Sequence, residues 1–231
     1  MSNLDAQKRV AARAALNHVK DGMKLGLGTG STAKHFVDGV GELVADGMDL
    51  VCVPTSEATK AQAESLNIPL STLDALKHLD LTVDGADELT DSLELIKGGG
   101  GALLREKIVA NASDEMIVIA DNTKHVDKLG KYPLPVEIVV FGAQVSVQNL
   151  RNVCNVHSLS GEIVQRMASG APFLTDGGNF IFDCHFGAIP NPQALAEALK
   201  SICGVVEHGL FIGLSQTAYI ATDEGTYEVH V

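Results

Sequence analysis

A chain of 231 residues, 45% of them hydrophobic, is long and apolar enough to bury a sizeable core, which excludes intrinsic disorder. A net charge of −12 works against binding a nucleic-acid backbone or an anionic membrane, and 4% aromatic residues with no tryptophan provide no stacking platform for single strands. No run approaches the ~20 apolar residues that span a bilayer and no apolar leader opens the chain, so a soluble cytoplasmic protein without nucleic-acid or membrane partners is expected. Cys52, Cys154, Cys184 and Cys203 form no C-x-x-C pair and are expected to be buried and reduced.

Leu4, Val10, Ala11, Ala14, Leu16 and Val19 predict an apolar helical stripe that Asp21-Gly22 stops. A short strand over 23–28 runs into a glycine-rich turn, where Ser31-Thr32 caps a helix carrying Phe36, Val37, Val40 and Leu43. A strand over 50–53 ends in Pro54-Thr55-Ser56, and 57–66 reads as the next helix. Apolar strands follow at 79–83 and 116–120, with a helix over about 102–112 between them. Nearly continuous apolar strands alternating with helices predict an α/β fold with a parallel sheet covered on both faces. Ligands of such sheets bind at the carboxyl ends of the strands.

The pattern changes at Lys131-Tyr132-Pro133-Leu134-Pro135, where two prolines stiffen the connection. Strands over 136–141, 173–174 and 180–184, with helices over about 145–150 and 192–202, predict a smaller α+β domain spanning 132–207. Residues 1–131 plus 208–231 then make up the main domain, with 209–214 and the tail from Ala218 returning to the main sheet.

Three motifs carry chemistry. Gly26-Leu27-Gly28-Thr29-Gly30-Ser31-Thr32 follows a strand and opens a helix, so backbone N–H groups and two hydroxyls can face an anion. It lacks the third glycine of the dinucleotide fingerprint and the Gly-Lys-Ser/Thr of a P-loop. Asp84-Gly85-Ala86-Asp87-Glu88 follows the strand over 79–83. Its carboxylates can accept hydrogen bonds from sugar hydroxyls or hold Mg²⁺, although a nearby lysine weakens the metal option. That lysine is Lys97, which opens Lys97-Gly98-Gly99-Gly100-Gly101, and Glu106 falls in the first turns of the following helix. Four consecutive glycines carry an entropic cost that close approach to a ligand explains. Lys124 follows the strand over 116–120 at the same edge. Each motif has a plainer explanation as a cap, a solvated turn or a dipole contact, but an acid, a base and a cation in one short stretch favour function. The eight histidines show no metal-binding spacing.

Together these motifs, with Arg105-Glu106-Lys107, Lys128-Leu129-Gly130-Lys131-Tyr132-Pro133-Leu134-Pro135-Val136-Glu137 and Thr175-Asp176-Gly177-Gly178-Asn179, resemble the A-type ribose-5-phosphate isomerases over nearly the whole chain. The stretches 153–170 and 215–219 are less typical of that family. The resemblance implies a Rossmann-like doubly wound main domain and a ferredoxin-like small domain. It also implies no metal, no cofactor, and a homodimer or homotetramer. It implies interconversion of D-ribose 5-phosphate and D-ribulose 5-phosphate in the pentose phosphate pathway. Thr29, Gly30, Ser31 and Thr32 would line the phosphate end, and Lys124 would make a further substrate contact. Asp84, Gly85, Ala86 and Asp87, with Lys97, Gly98, Gly99 and Gly100, would line the sugar end.

Moving a proton between adjacent carbons through a cis-enediolate needs a base, stabilisation of the developing oxyanion and a grip on the phosphate. Glu106 would be the base, Lys97 would stabilise the charge on O1 and O2, and Asp84 would assist ring opening. Asp87 would orient hydroxyls. A sugar-phosphate binding module would keep the phosphate loop without needing the base. A hexosamine phosphate deaminase would be expected to use a histidine, and none lies between His78 and His125.

Overall fold

The computed structural model describes residues 3–231; Met1 and Ser2, the first two residues of the predicted main domain, lie outside them. Helix α1 (Asn3–Leu16) buries Gln7, Ala11, Ala12 and Ala15. Leu4 and Val10, expected in its apolar stripe, are exposed instead. Small alanines let α1 lie close against its neighbours, and a longer side chain on that face would hold it off.

Strand β1 (Lys24–Leu27) leads to α2 (Ala33–Ala45), β2 (Val51–Pro54), α3 (Glu57–Ser65), the single turn α4 (Leu73–Leu76) and β3 (Leu79–Gly85). Ser56 caps α3 by accepting the Thr59 N–H. Thr32, predicted to cap α2, occupies the cap position in helical conformation and its hydroxyl bonds no helix N–H. Short strands β4 (Glu88–Leu89) and β5 (Leu95–Ile96) precede α5 (Leu103–Asn111), β6 (Ser113–Asp121) and a 3₁₀ turn over Asn122–Lys124. Next come β7 (Leu134–Ile138), α6 (Ala143–Val156), β8 (Ile163–Gln165), the hairpin β9 (Met167–Ala168) and β10 (Ala171–Pro172), β11 (Phe180–Cys184), α7 (Pro192–Lys200) and β12 (Val205–His208). The chain closes with β13 (Leu210–Phe211), β14 (Thr217–Ala221) and β15 (Thr226–His230).

Among the described residues the main sheet runs β15-β14-β6-β3-β1-β2. It is parallel except for β15, which pairs antiparallel with β14. Both faces are covered. Leu25, Leu27, Leu81, Val83, Ile117 and Ile119 pack with α1 and α2 on one side, while Met116, Val118 and Ala120 pack with Leu89, Leu95 and Phe211 on the other. The winding changes direction between β1 and β3, and a crevice opens there above the carboxyl ends of the strands.

The second sheet, ordered β12-β7-β11-β8, is antiparallel. Its β-α-β-β-α-β succession is that of the ferredoxin-like fold. Val136, Ile138 and Phe182 share one core with Val147 and Leu150 of α6 and Leu195 and Leu199 of α7.

Four local expectations change. Strand β7 starts at Leu134 and takes in Pro135, which is tolerated near the start of a strand, and Val140 and Phe141 lie in an exposed turn. Phe173-Leu174 is not a strand; Leu174 makes one isolated bridge to Phe180. Leu210–Phe211 pairs with β5 rather than joining the main sheet, because Gly209 is held between Pro135 O and the Lys97 N–H, both at 2.8 Å. Finally, Cys52, Cys154 and Cys184 are buried free thiols, whereas Cys203 is exposed.

Candidate active site

The loop after β1 rests directly on the end of β3. A Cβ at Gly28 would lie 2.2 Å from Asp84 Oδ1, so only glycine permits this approach. The Thr29 and Gly85 N–H groups both donate to Asp84 Oδ1, at 3.1 and 2.7 Å. Thr29 turns its hydroxyl inward, to Thr55, Ser56 and Thr59 at 2.7, 2.8 and 3.1 Å. The Pro-Thr-Ser end of β2 thereby braces the loop. Ser31 is exposed, and the Lys8 ammonium donates to its Oγ at 3.0 Å. Lys8 had no signal in the sequence, since a lysine on an amphipathic helix reads as solvated surface.

Lys97 leaves the end of β5 and is 2% exposed. Its Nζ donates to Gly85 O at 2.6 Å and lies 3.0 Å from Asp84 Oδ2 and 3.4 Å from Glu106 Oε2. The two carboxylate oxygens are buried beside the ammonium without an aligned hydrogen bond from it. Glu106, 3% exposed, projects from the first turn of α5. Its neighbour in the crevice, Asp87, accepts the Gly99 N–H at 2.7 Å. The glycine run needs its glycines: Gly98 and Gly101 have φ of +104° and +82°, and a Cβ at Gly99 would meet Tyr132 Oη at 2.5 Å.

One ammonium between two buried carboxyls leaves an excess negative charge unless a proton is retained. Burial pushes Glu106 up to about 8, with Asp84 and Asp87 adding repulsion and Lys97 opposing. Burial also raises Asp84, against Lys97 and the Gly85 and Thr29 N–H groups. Burial would lower Lys97, but Asp84 and Glu106 hold it above its ordinary value. The retained proton belongs on Glu106, because Asp84 has the nearer ammonium and two backbone donors.

The pocket wall contains Thr29 to Thr32, Gly85 to Asp87, Lys97 to Gly100, Glu106 and Lys124. Asp84 does not line it. It is fully buried behind Lys97 and the loop backbone, whereas the resemblance implies a place at the sugar end. Glu88 likewise points elsewhere, accepting the Gly130 and Tyr132 N–H groups at 2.7 and 2.6 Å and so pinning the segment that joins the two sheets. Tyr132, expected only in that joining segment, reaches the glycine run, and Lys124 Nζ lies 5.9 Å from its ring centroid.

The family model of ribose 5-phosphate isomerase A (phosphoriboisomerase A) matches residues 51–225. A ribose-5-phosphate isomerase A of Parvibaculum lavamentivorans is 57% identical over 225 residues, covering 97% of each chain. The ribose 5-phosphate isomerase of Plasmodium falciparum superposes with a TM-score of 0.93 at 35% identity, covering 99% of both chains. A D-ribose-5-phosphate isomerase solved in complex with phospho-erythronic acid has a TM-score of 0.92, also at 35% identity, over 99% of this chain and 100% of that one. On fold, site motifs and full-length similarity alike, the chain belongs to the ribose 5-phosphate isomerase A family.

Proposed function

We propose that this pocket interconverts D-ribose 5-phosphate and D-ribulose 5-phosphate through a cis-enediolate, as a step of the pentose phosphate pathway. The observation that carries the reading is the pairing of Glu106 with Lys97 at one end of a pocket whose other end is the Gly30-Ser31-Thr32 loop. Family membership supports it, and so does the relative bound to phospho-erythronic acid, whose planar carboxylate has the shape of an enediolate.

In this reading Ser31, Thr32 and the Lys8 ammonium take the phosphate. Glu106 removes the C2 proton of the open-chain aldose and returns it to C1. Lys97 balances the charge that develops on O1 and O2, a preorganised electrostatic role, while Asp87 and Lys124 orient the chain. Asp84, set behind Lys97, holds the ammonium in place and is better suited to that than to contact with the sugar ring. A binding module would have no use for a carboxyl raised to about 8 beside a lysine.

We further propose that the segment 132–207 acts as a separate small domain, that the chain forms a homodimer or homotetramer, and that it works in the cytoplasm. Exposed Val140, Phe141 and Val145 support self-association, and the buried free thiols fit a reducing compartment. The decisive experiment incubates the protein with ribose 5-phosphate and follows the ketopentose phosphate by NMR. Formation of ribulose 5-phosphate is expected, and an unchanged aldose would overturn the reading.

A further inference from the structure

The small domain hydrogen-bonds the pocket wall through Arg166. Arg166, between β8 and β9, donates from Nη1 to Gly98 O at 2.8 Å and to Gly99 O at 3.1 Å. Its guanidinium is oriented by Asp183 on β11, with Nε to Oδ2 at 2.9 Å and Nη2 to Oδ1 at 2.5 Å. The Phe173 ring centroid lies 5.8 Å from its Cζ, and that ring occupies the space where Gly101 would carry a Cβ, 2.5 Å away. Arg166 is therefore fixed before it meets the loop.

The consequence follows from peptide geometry. In a trans peptide the N–H points opposite to the preceding carbonyl, and this chain has no cis bonds among the described residues. Drawing the Gly98 carbonyl toward Arg166 sends the Gly99 N–H the other way, onto Asp87 at 2.7 Å. Drawing the Gly99 carbonyl the same way sends the Gly100 N–H toward the pocket, which Gly100 lines. That N–H has no acceptor among the described residues. Such a donor, fixed before substrate arrives, stabilises a developing oxyanion without reorganisation.

We propose that Arg166, oriented by Asp183, is a positioning residue that aims the Gly100 N–H at an oxygen of the enediolate. The small domain thereby completes an active site whose acid–base groups, Lys97 after β5 and Glu106 on α5, come from outside it. The proposal rests on the isomerase reading above. A native protein that leaves ribose 5-phosphate unchanged would sink that reading, whereas a fully active Arg166 variant would sink this proposal alone.

The test compares kcat and KM of native protein, Arg166→Ala and Arg166→Lys, with and without added methylguanidinium. Loss of one oriented donor predicts a fall in kcat of about 100-fold for Arg166→Ala. KM should stay within about threefold, and the added cation should recover about tenfold in kcat. Arg166→Lys keeps the charge without the planar fork and should retain an intermediate kcat at unchanged KM. It decides the matter if the alanine variant does not fold. A kcat within about threefold of native in either variant overturns the proposal. So does a loss in the folded alanine variant that methylguanidinium leaves untouched, since it would then come from the fold.

Discussion

At the scale of single residues the proposed chemistry turns on when Glu106 is ionised. A base must be deprotonated to act, and burial pushes this carboxyl up to about 8. Below that value most of the free protein carries the proton, so kcat/KM should rise about tenfold per pH unit toward pH 8 and level off above it. Asp87 repels a negative Glu106, so Asp87→Asn should move the inflection to lower pH. Rate profiles of both proteins check this, and a flat profile from pH 6 to 9 would remove Glu106 from the role. Glu106→Gln should lower kcat by about 10²–10⁴-fold with little change in KM, and near-normal turnover would refute it. Ser31→Ala with Thr32→Ala should mainly raise KM; an unchanged KM would dissociate that loop from the phosphate.

At the scale of elements, helix α5 is what positions Glu106, the proposed base. Glu106 faces the pocket, and the next residue, Lys107, faces the other way. Lys107 donates to Glu207 Oε1 at 2.8 Å and to His208 O at 2.6 Å, tying α5 to β12. Between Lys97 and Lys107 lies the Phe211 ring, with its centroid 5.5 Å from Lys97 Nζ and 4.8 Å from Lys107 Nζ. Lys107→Met strips Glu207 of its buried partner and leaves it only one ammonium, that of the exposed Lys200 at 3.8 Å, so it should cost about 1–3 kcal/mol in urea unfolding. An unchanged midpoint and slope would show that α5 is held by its apolar contacts alone. The same helix shows what local reading reaches. The glycine run and the carboxylate of the first turn place Glu106 within α5, but the partner strand of Lys107 lies a hundred residues on and leaves no local trace.

For the whole molecule, the turn before β11 ties the second sheet to the layer around the main one. The turn 175–179 is held by Glu137, which accepts Thr175 Oγ1–H at 2.8 Å and Asn179 Nδ2–H at 2.9 Å. From that turn Asp176 accepts the Glu57 N–H at 2.9 Å, so β7, the turn and the start of α3 form one chain of contacts. On the outside, Phe141 is 94% exposed beside Val140 and Val145. If that patch covers a second copy, native protein should scatter light as a multiple of 24.3 kDa and Phe141→Asp should shift it toward the single chain. A native monomer, or a variant of unchanged mass, would discount the patch.

Much of this architecture is legible in the chain: the alternation of apolar strands and helices, the change of pattern at the two prolines, the three glycine-bearing motifs, and a carboxylate just inside a helix. These are local properties, set by backbone entropy, side-chain periodicity and the donors at a helix start. Other features depend on which distant segments lie side by side. The sheet order placed the crevice between β1 and β3, and burial put Asp84 behind Lys97. The fold also brought Lys8 to Ser31 and Arg166 to the glycine carbonyls. No periodicity distinguishes those two cations from solvated ones, because their partners are backbone and hydroxyl groups supplied by segments far along the chain.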